Sequence, residues 1–209
     1  MILSTKNKII ILSLLILSFL TITFLVANKN AFVINLDNTV KTFVENHQSP
    51  FVSNLMLSVT KTLDPYEALV IFAIFGLFLI LKNKKYFYAF TIATSLGIVL
   101  TETIKYTVQR VRPNSLLLME QGFSFPSAHA TIAMVFIFSS IFLLVPLMKK
   151  GLIKNVFLLV SSIIFLLVIF SRIYLSVHFT SDVVAGMILG SISFLFAEMI
   201  CCYKKENVL

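Results

Sequence analysis

The sequence predicts an all-α, polytopic membrane protein with six transmembrane helices and short amphipathic helices on its outer surface. Three observations lead there. Of the 209 residues, 58% are hydrophobic and the mean hydropathy is +0.98, more apolar surface than a soluble domain of this size can hide. The apolar residues fall in runs of the length that crosses a hydrocarbon core, about 20 residues. Charged residues make up only 12% of the chain and cluster between those runs. Backbone polar groups in a bilayer must pair within their own segment, which leaves helices as the reading for such runs. With no repeat visible, residues 1–209 read as a single membrane-embedded domain.

In chain order, the first expected span is 9–27. It follows Lys6 and Lys8 as a signal peptide would, but Val26-Ala27-Asn28 is a poor cleavage site, so a retained helix is expected. Residues 28–64 form the longest polar stretch. Within it Val33, Ile34, Val40, Phe43 and Val44, then Phe51, Leu55, Met56 and Val59, recur at helical spacing, interrupted at Ser49-Pro50. This predicts two amphipathic helices lying on the outer surface. Further spans follow at 65–81, 86–105, 127–148, 152–171 and 179–202, with a polar connection at 106–126 carrying Arg110, Arg112, Glu120 and Gly122. Cys201 and Cys202 are adjacent, a spacing that suits neither a bridge nor a metal, and read as filler at the bilayer boundary.

The net charge of +8 reflects topology, not nucleic-acid binding. Lys6, Lys8, Lys82, Lys84, Lys85, Lys149, Lys150, Lys154, Lys204 and Lys205 all fall on one side of the predicted spans, in short segments. The positive-inside rule puts that side, and both termini, in the cytoplasm of a cell that carries the protein in its plasma or inner membrane. The cations left outside differ in kind. Lys105, Arg110, Arg112 and Arg172 stand at the outer ends of spans, near His129 and His178. Ionisable groups at a membrane boundary are costly and mark a functional site.

His178 and Asp182 are four apart, so a helix would put them on one face. A carboxylate that orients an imidazole makes the histidine a better nucleophile. Lys105, Arg112 and Arg172 would repel one another unless an anion lay between them, and arginine forks suit phosphate. Ser127, just after Pro126, falls at the expected first turn of the fourth span, where free N–H groups and the helix dipole favour an anion. His129 is two residues further on. The set predicts a two-step displacement: His178 attacks phosphorus, Asp182 holds its other ring nitrogen, and His129 protonates the leaving oxygen and then activates water. The cations neutralise the phosphoryl oxygens in the transition state. With three histidines in the chain and no acid close to His129 or His178 in sequence besides Asp182, no metal or other cofactor is expected.

The chain thus contains Lys105, six residues, then Arg112-Pro113; Pro126-Ser127-Ala128-His129; and Ser171-Arg172, five residues, His178, three residues, Asp182. This ordered set resembles the three-part signature of the type 2 phosphatidic acid phosphatase family, integral membrane lipid phosphatases related to vanadium haloperoxidases. The segment around Asp37, Ser49-Pro50 and Thr60 is also similar to bacterial members. The resemblance implies six transmembrane helices and a site at the outer leaflet. It implies phosphate binding by Lys105, Arg112, Ser127 and Arg172, with His178 as nucleophile, His129 as acid and Asp182 as orienting carboxylate. It also implies a backbone contribution from Ala128, where the family usually has glycine. The expected substrate is a membrane lipid phosphate or pyrophosphate: undecaprenyl pyrophosphate, phosphatidylglycerophosphate or phosphatidic acid. Two rival readings remain: a phosphotransferase using the same phosphohistidine, and a transporter or scaffold that binds lipid phosphates without turnover.

Overall fold

Eight α-helices account for the regular structure in the computed structural model, which describes residues 4–149 and 151–202. They are α1 (Thr5–Ala27), α2 (Ala31–Asn46), α3 (Pro50–Lys61), α4 (Pro65–Lys82), α5 (Lys84–Val108), α6 (Ala128–Ser139), α7 (Leu152–Tyr174) and α8 (Thr180–Cys201). The apolar path of α6 continues through a π-helical turn, Ser140–Leu144, and a short 3-10 turn, Val145–Leu147. Pro146 explains the widening, since it offers no N–H to the carbonyl four residues back. Lys150, Lys204 and Lys205, part of the charge asymmetry, lie outside the described residues.

Five stretches are long and apolar enough to cross a membrane on their own: α1, α5, Ala128–Leu147, α7 and α8. The expected second span, α4, qualifies only together with α3, to which it is joined at a bend of 57°. At 18 residues it is about 27 Å long, slightly short of a typical hydrocarbon core. The protein is therefore a multi-pass membrane protein with five or six spans.

Helix α8 is the centre of the bundle, packed by α1, α2, α5, α6 and α7. Its contact with α6 is close because Gly186 and Gly190 are four apart on one face, a small-xxx-small arrangement. A Cβ at Gly186 would lie 2.5 Å from the Ser127 carbonyl oxygen, and one at Gly190 would lie 2.4 Å from that of Thr131. The starts of the two helices are also tied directly, since the Ser127 N–H donates to the Asp182 carbonyl at 3.0 Å. At the opposite end Lys8 bridges both carboxylate oxygens of Glu198, at 2.6 and 2.7 Å, joining α1 to α8.

The two amphipathic helices form as expected, with Ser49 as the N-cap of α3 and Pro50 at its first turn. They do more than lie on a surface, because they carry polar groups into the bundle. Asp37, Ser53 and Thr60 are buried. The Ser49 N–H donates to the Tyr174 hydroxyl at 2.9 Å, and Gln48 Nε2 donates to the Tyr174 carbonyl at 2.8 Å. The α2–α3 turn is thus fixed to the end of α7, over a cluster of Val44, Met56, Tyr174, Leu175 and Val177.

A methyl group at Gly190 has no space to enter without parting α6 from α8. Gly190→Ala is expected to cost about 1–3 kcal/mol or more of stability, the usual range for overpacking. Thermal unfolding in detergent measures it, and an unchanged midpoint would contradict the close contact.

Candidate active site

The site forms where the α5–α6 connection, the start of α6, the α7–α8 junction and the start of α8 converge. Helix α5 ends on Gln109 in the left-handed conformation (φ +52°), whose N–H donates to the Lys105 carbonyl at 2.9 Å. The chain then turns across the bundle end, so Arg110 and Arg112 reach α8 and the α7–α8 junction. Helix α7 ends at Tyr174, and Ser176 takes a positive φ of 50°. The Val177 and His178 N–H groups both return to the Arg172 carbonyl, at 3.2 and 3.3 Å. That tight return places the His178 ring beside the arginine.

His178 and Asp182 do not meet through a shared helical face. Helix α8 begins at Thr180, with His178 in the turn before it. Asp182 lies in the first turn and accepts the orphan N–H of Phe179 on Oδ2 at 2.9 Å, as an acidic residue near a helix start does. The same oxygen is 3.6 Å from His178 Nδ1, beyond hydrogen-bond length. The other ring nitrogen, Nε2, is 3.1 Å from Arg112 Nη1. Guanidinium has no acceptor, so Nε2 presents its lone pair there, and the ring proton resides on Nδ1, towards Asp182. His178 is only 3% exposed. Burial depresses its pKa to about 4, and the Arg172 and Arg112 charges add to this while Asp182 opposes it.

Arg172 is fully buried, with Nη1 donating to Thr60 Oγ1 and Nη2 to Glu120 Oε1. Arg112 Nη1 is 2.9 Å from Glu120 Oε2 and donates to the Val177 carbonyl at 2.9 Å. Ser127 is the N-cap of α6, its Oγ accepting from the Ala130 N–H at 3.4 Å. The helix therefore starts one residue later than predicted, because the serine side chain satisfies an orphan donor that Pro126 cannot. Ala128 opens the helix and is not among the residues with positive φ, so the extra methyl introduces no backbone strain. His129 Nε2 is 3.7 Å from Asp64 Oδ1. Lys105 turns to Glu102 on its own helix, at 2.9 Å. Of the predicted cations it is the one held away from Glu120.

Three residues take places at the site that the sequence did not assign them. Arg110 does not face solvent: it donates from Nη1 to Asp182 Oδ1 at 2.6 Å and from Nη2 to Asp37 Oδ2 at 2.7 Å. It also stacks on the Phe179 ring, 4.2 Å from the centroid. Asp37 accepts the Ser181 N–H at 2.9 Å. The third is Glu120, between the two arginines. Burial opposes its ionisation, but the Arg172 charge and hydrogen bond, with Arg112 behind them, bring its pKa down to about 2. The predicted repulsion among buried cations was the one signal that called for an anion here.

The family profile described as PAP2 superfamily matches residues 84–206, a span that holds Lys105, Arg112, Ser127, His129, Arg172, His178 and Asp182. The chain belongs to the PAP2 superfamily. Phosphatidylglycerophosphatase B of Bacillus subtilis is 36% identical over 103 residues, 47% of this chain and 50% of that protein, so the match spans half the length of that relative. Undecaprenyl-diphosphatase of Sulfolobus acidocaldarius is 30% identical over 168 residues, 75% of this chain and 74% of the relative. A crystal structure of a transmembrane PAP2-type phosphatidylglycerolphosphate phosphatase from Bacillus subtilis superposes with a TM-score of 0.80 at 26% identity, over 94% of this chain and 98% of that one. As a PAP2 protein the chain carries its signature on α5 to α8, while Asp37, Thr60 and Asp64 reach the site from the helices before that match.

Two outcomes test this geometry. Arg110→Gln leaves Asp37 and Asp182 as buried, uncompensated carboxylates. It should cost about 3–5 kcal/mol, as breaking a buried pair does, read from unfolding in detergent. His178 has a folded-state pKa of about 4 against an ordinary 6.5, so between those values the unfolded chain binds the extra proton. Its contribution to stability is present above about pH 6.5 and is lost as pH falls towards 4. His178→Ala should flatten that part of the melting-temperature profile.

Proposed function

We propose that this chain is a lipid phosphatase, working as one membrane-embedded domain, which hydrolyses a phosphate or pyrophosphate on a membrane lipid through a phosphohistidine. The observation that carries the reading is His178: its Nε2 lone pair faces Arg112 at 3.1 Å while its Nδ1 side faces Asp182 at 3.6 Å. A neutral, buried imidazole with its unprotonated nitrogen turned to a phosphate-binding arginine is a poised nucleophile once a phosphate takes that arginine. In the first step Nε2 bonds to phosphorus as the P–O bond to the lipid breaks, and His129 gives the leaving oxygen its proton. Asp182, fixed by Arg110 and the Phe179 N–H, closes on Nδ1–H as positive charge develops on the ring. In the second step His129 takes a proton from water, the new P–O bond forms, the N–P bond breaks and inorganic phosphate leaves.

Arg112, Arg172, Ser127 and the N–H groups at the start of α6, Ala128 included, stabilise the phosphoryl oxygens. Lys105 joins them by leaving Glu102. The reading is supported by the relatives, whose names record phosphatidylglycerophosphatase and undecaprenyl-diphosphatase activity. Undecaprenyl pyrophosphate, phosphatidylglycerophosphate and phosphatidic acid are the substrates to rank. The lysine distribution supports a site facing the cell exterior with both termini in the cytoplasm.

Purified protein in detergent, given this lipid panel with a chelator present, should release phosphate undiminished by the chelator. His178→Ala should lower the rate by about four orders of magnitude or more, as loss of a nucleophile does. Labelled phosphate should be trapped on wild-type protein quenched in alkali, where phosphohistidine survives, and not on the variant. Full release by His178→Ala would overturn the mechanism, and label recovered in a lipid acceptor would favour a transferase.

A further inference from the structure

Glu120 occupies the position that the mechanism requires of a phosphate. One carboxylate oxygen accepts from Arg172 Nη2, and the other is 2.9 Å from Arg112 Nη1, the same nitrogen that is 3.1 Å from His178 Nε2. The carboxylate therefore spans both arginine forks next to the attacking atom. Arg172 keeps one donor unused: its buried Nε has no hydrogen-bond partner among the described residues, so a carboxylate does not exhaust what the guanidinium offers. A tetrahedral dianion has more oxygens and more charge with which to do so.

The chain around Glu120 is anchored on both sides, because beyond it the Gly122 carbonyl accepts from Arg112 Nε at 3.2 Å. Ser115 Oγ accepts the Leu117 and Leu118 N–H groups, at 3.2 Å each, and Leu117 and Leu118 pack on the Tyr174–Val177 cluster. Beyond Glu120, Gly122 takes a φ of +78° with nothing within 4 Å of a would-be Cβ. The Glu120 side chain, 20% exposed, can leave the arginines by rotation about its own bonds without disturbing either anchor.

We propose that Glu120 is a specificity-determining residue: a resident singly charged anion that phosphomonoesters and pyrophosphates displace and phosphodiesters do not. This rests on the phosphatase reading above. Two unoccupied arginines at a bilayer boundary would capture the singly charged phosphodiester headgroups that surround them in excess. Against those, a carboxylate already in place competes on equal charge and without the cost of association. A phosphomonoester carries about −1.5 to −2 at neutral pH and gains more from the two arginines than the carboxylate it replaces. The same carboxylate, returning to the arginines, assists departure of inorganic phosphate after the second step.

The test is Glu120→Gln, which keeps shape and removes charge, with Glu120→Asp, which keeps charge but shortens the reach, as the second variant. Two constants are measured in detergent: the Kd of inorganic phosphate by thermal shift, which needs no turnover, and the inhibition constant of phosphatidylglycerol in mixed micelles against a phosphomonoester lipid. Glu120→Gln should tighten both by about tenfold or more, the scale of one charge-assisted hydrogen bond, so that phosphatidylglycerol inhibits the variant at micelle fractions that leave wild type uninhibited, and Glu120→Asp should fall between the two. Constants unchanged or weakened in whichever variant folds would overturn the proposal and make Glu120 a strap that holds Arg172. Should wild type turn over no lipid while Glu120→Gln still tightens phosphate, the phosphatase reading falls and the resident-anion assignment stands.

Discussion

The contact on which the rest depends is the close approach of α6 to α8. It is made possible by the absence of side chains at Gly186 and Gly190, which lets backbone meet backbone at Ser127 and Thr131. Because the approach runs to the very start of both helices, the Ser127 N–H can reach the Asp182 carbonyl. The N-terminus of α6, with Ser127 and His129, then lies beside the N-terminus of α8, with Asp182 and the preceding His178. Two helix starts side by side concentrate orphan N–H groups and the positive ends of two dipoles. An anion belongs at such a place, and the arginines contributed by neighbouring segments reinforce it.

Charge balance is the second organising constraint. A buried guanidinium or carboxylate without a partner costs several kcal/mol, and the charges around the imidazole are paired. Arg110 bridges Asp37 and Asp182, Glu120 bridges Arg112 and Arg172, and Lys105 has Glu102. These pairs divide into two kinds by what would happen when a phosphate arrives. Arg110 and its aspartates lie behind the imidazole, away from the arginines that a phosphate would take, and hold Asp182 in register. On the proposed function, the pairs made by Glu120 and Glu102 occupy the cations that a phosphate would take, and these are the pairs that would open. Helix α2 serves the first kind through Asp37, and α3 reaches the second through Thr60, which accepts from Arg172.

The apolar spans were legible because each is a continuous run set by composition, and the two amphipathic helices because their periodicity and the Ser49-Pro50 break are local signals. The residues of the candidate site could be named for a different reason: their identities and spacing form an ordered pattern along the chain. The details that misled were also local. His178 and Asp182 at a spacing of four suggested one helical face, yet capping of the Phe179 N–H by Asp182 starts the helix after the histidine. Pro126 suggested the first helical position, yet the Ser127 side chain is the better cap.

The sequence by itself determined the class of protein and the apolar runs, and it named His129, His178, Asp182 and the arginines around them as candidates, since hydropathy, period and spacing are properties of neighbouring residues. Only the tertiary structure decided which carboxylate answers which cation. Arg110 and Asp37 are 73 residues apart, and Arg172 and Glu120 are 52 apart. No local pattern marks Arg110 as the holder of Asp182 or Glu120 as the carboxylate between Arg112 and Arg172. A buried charge takes whichever opposite charge the packing brings within reach, and the packing here is set by two glycines on α8.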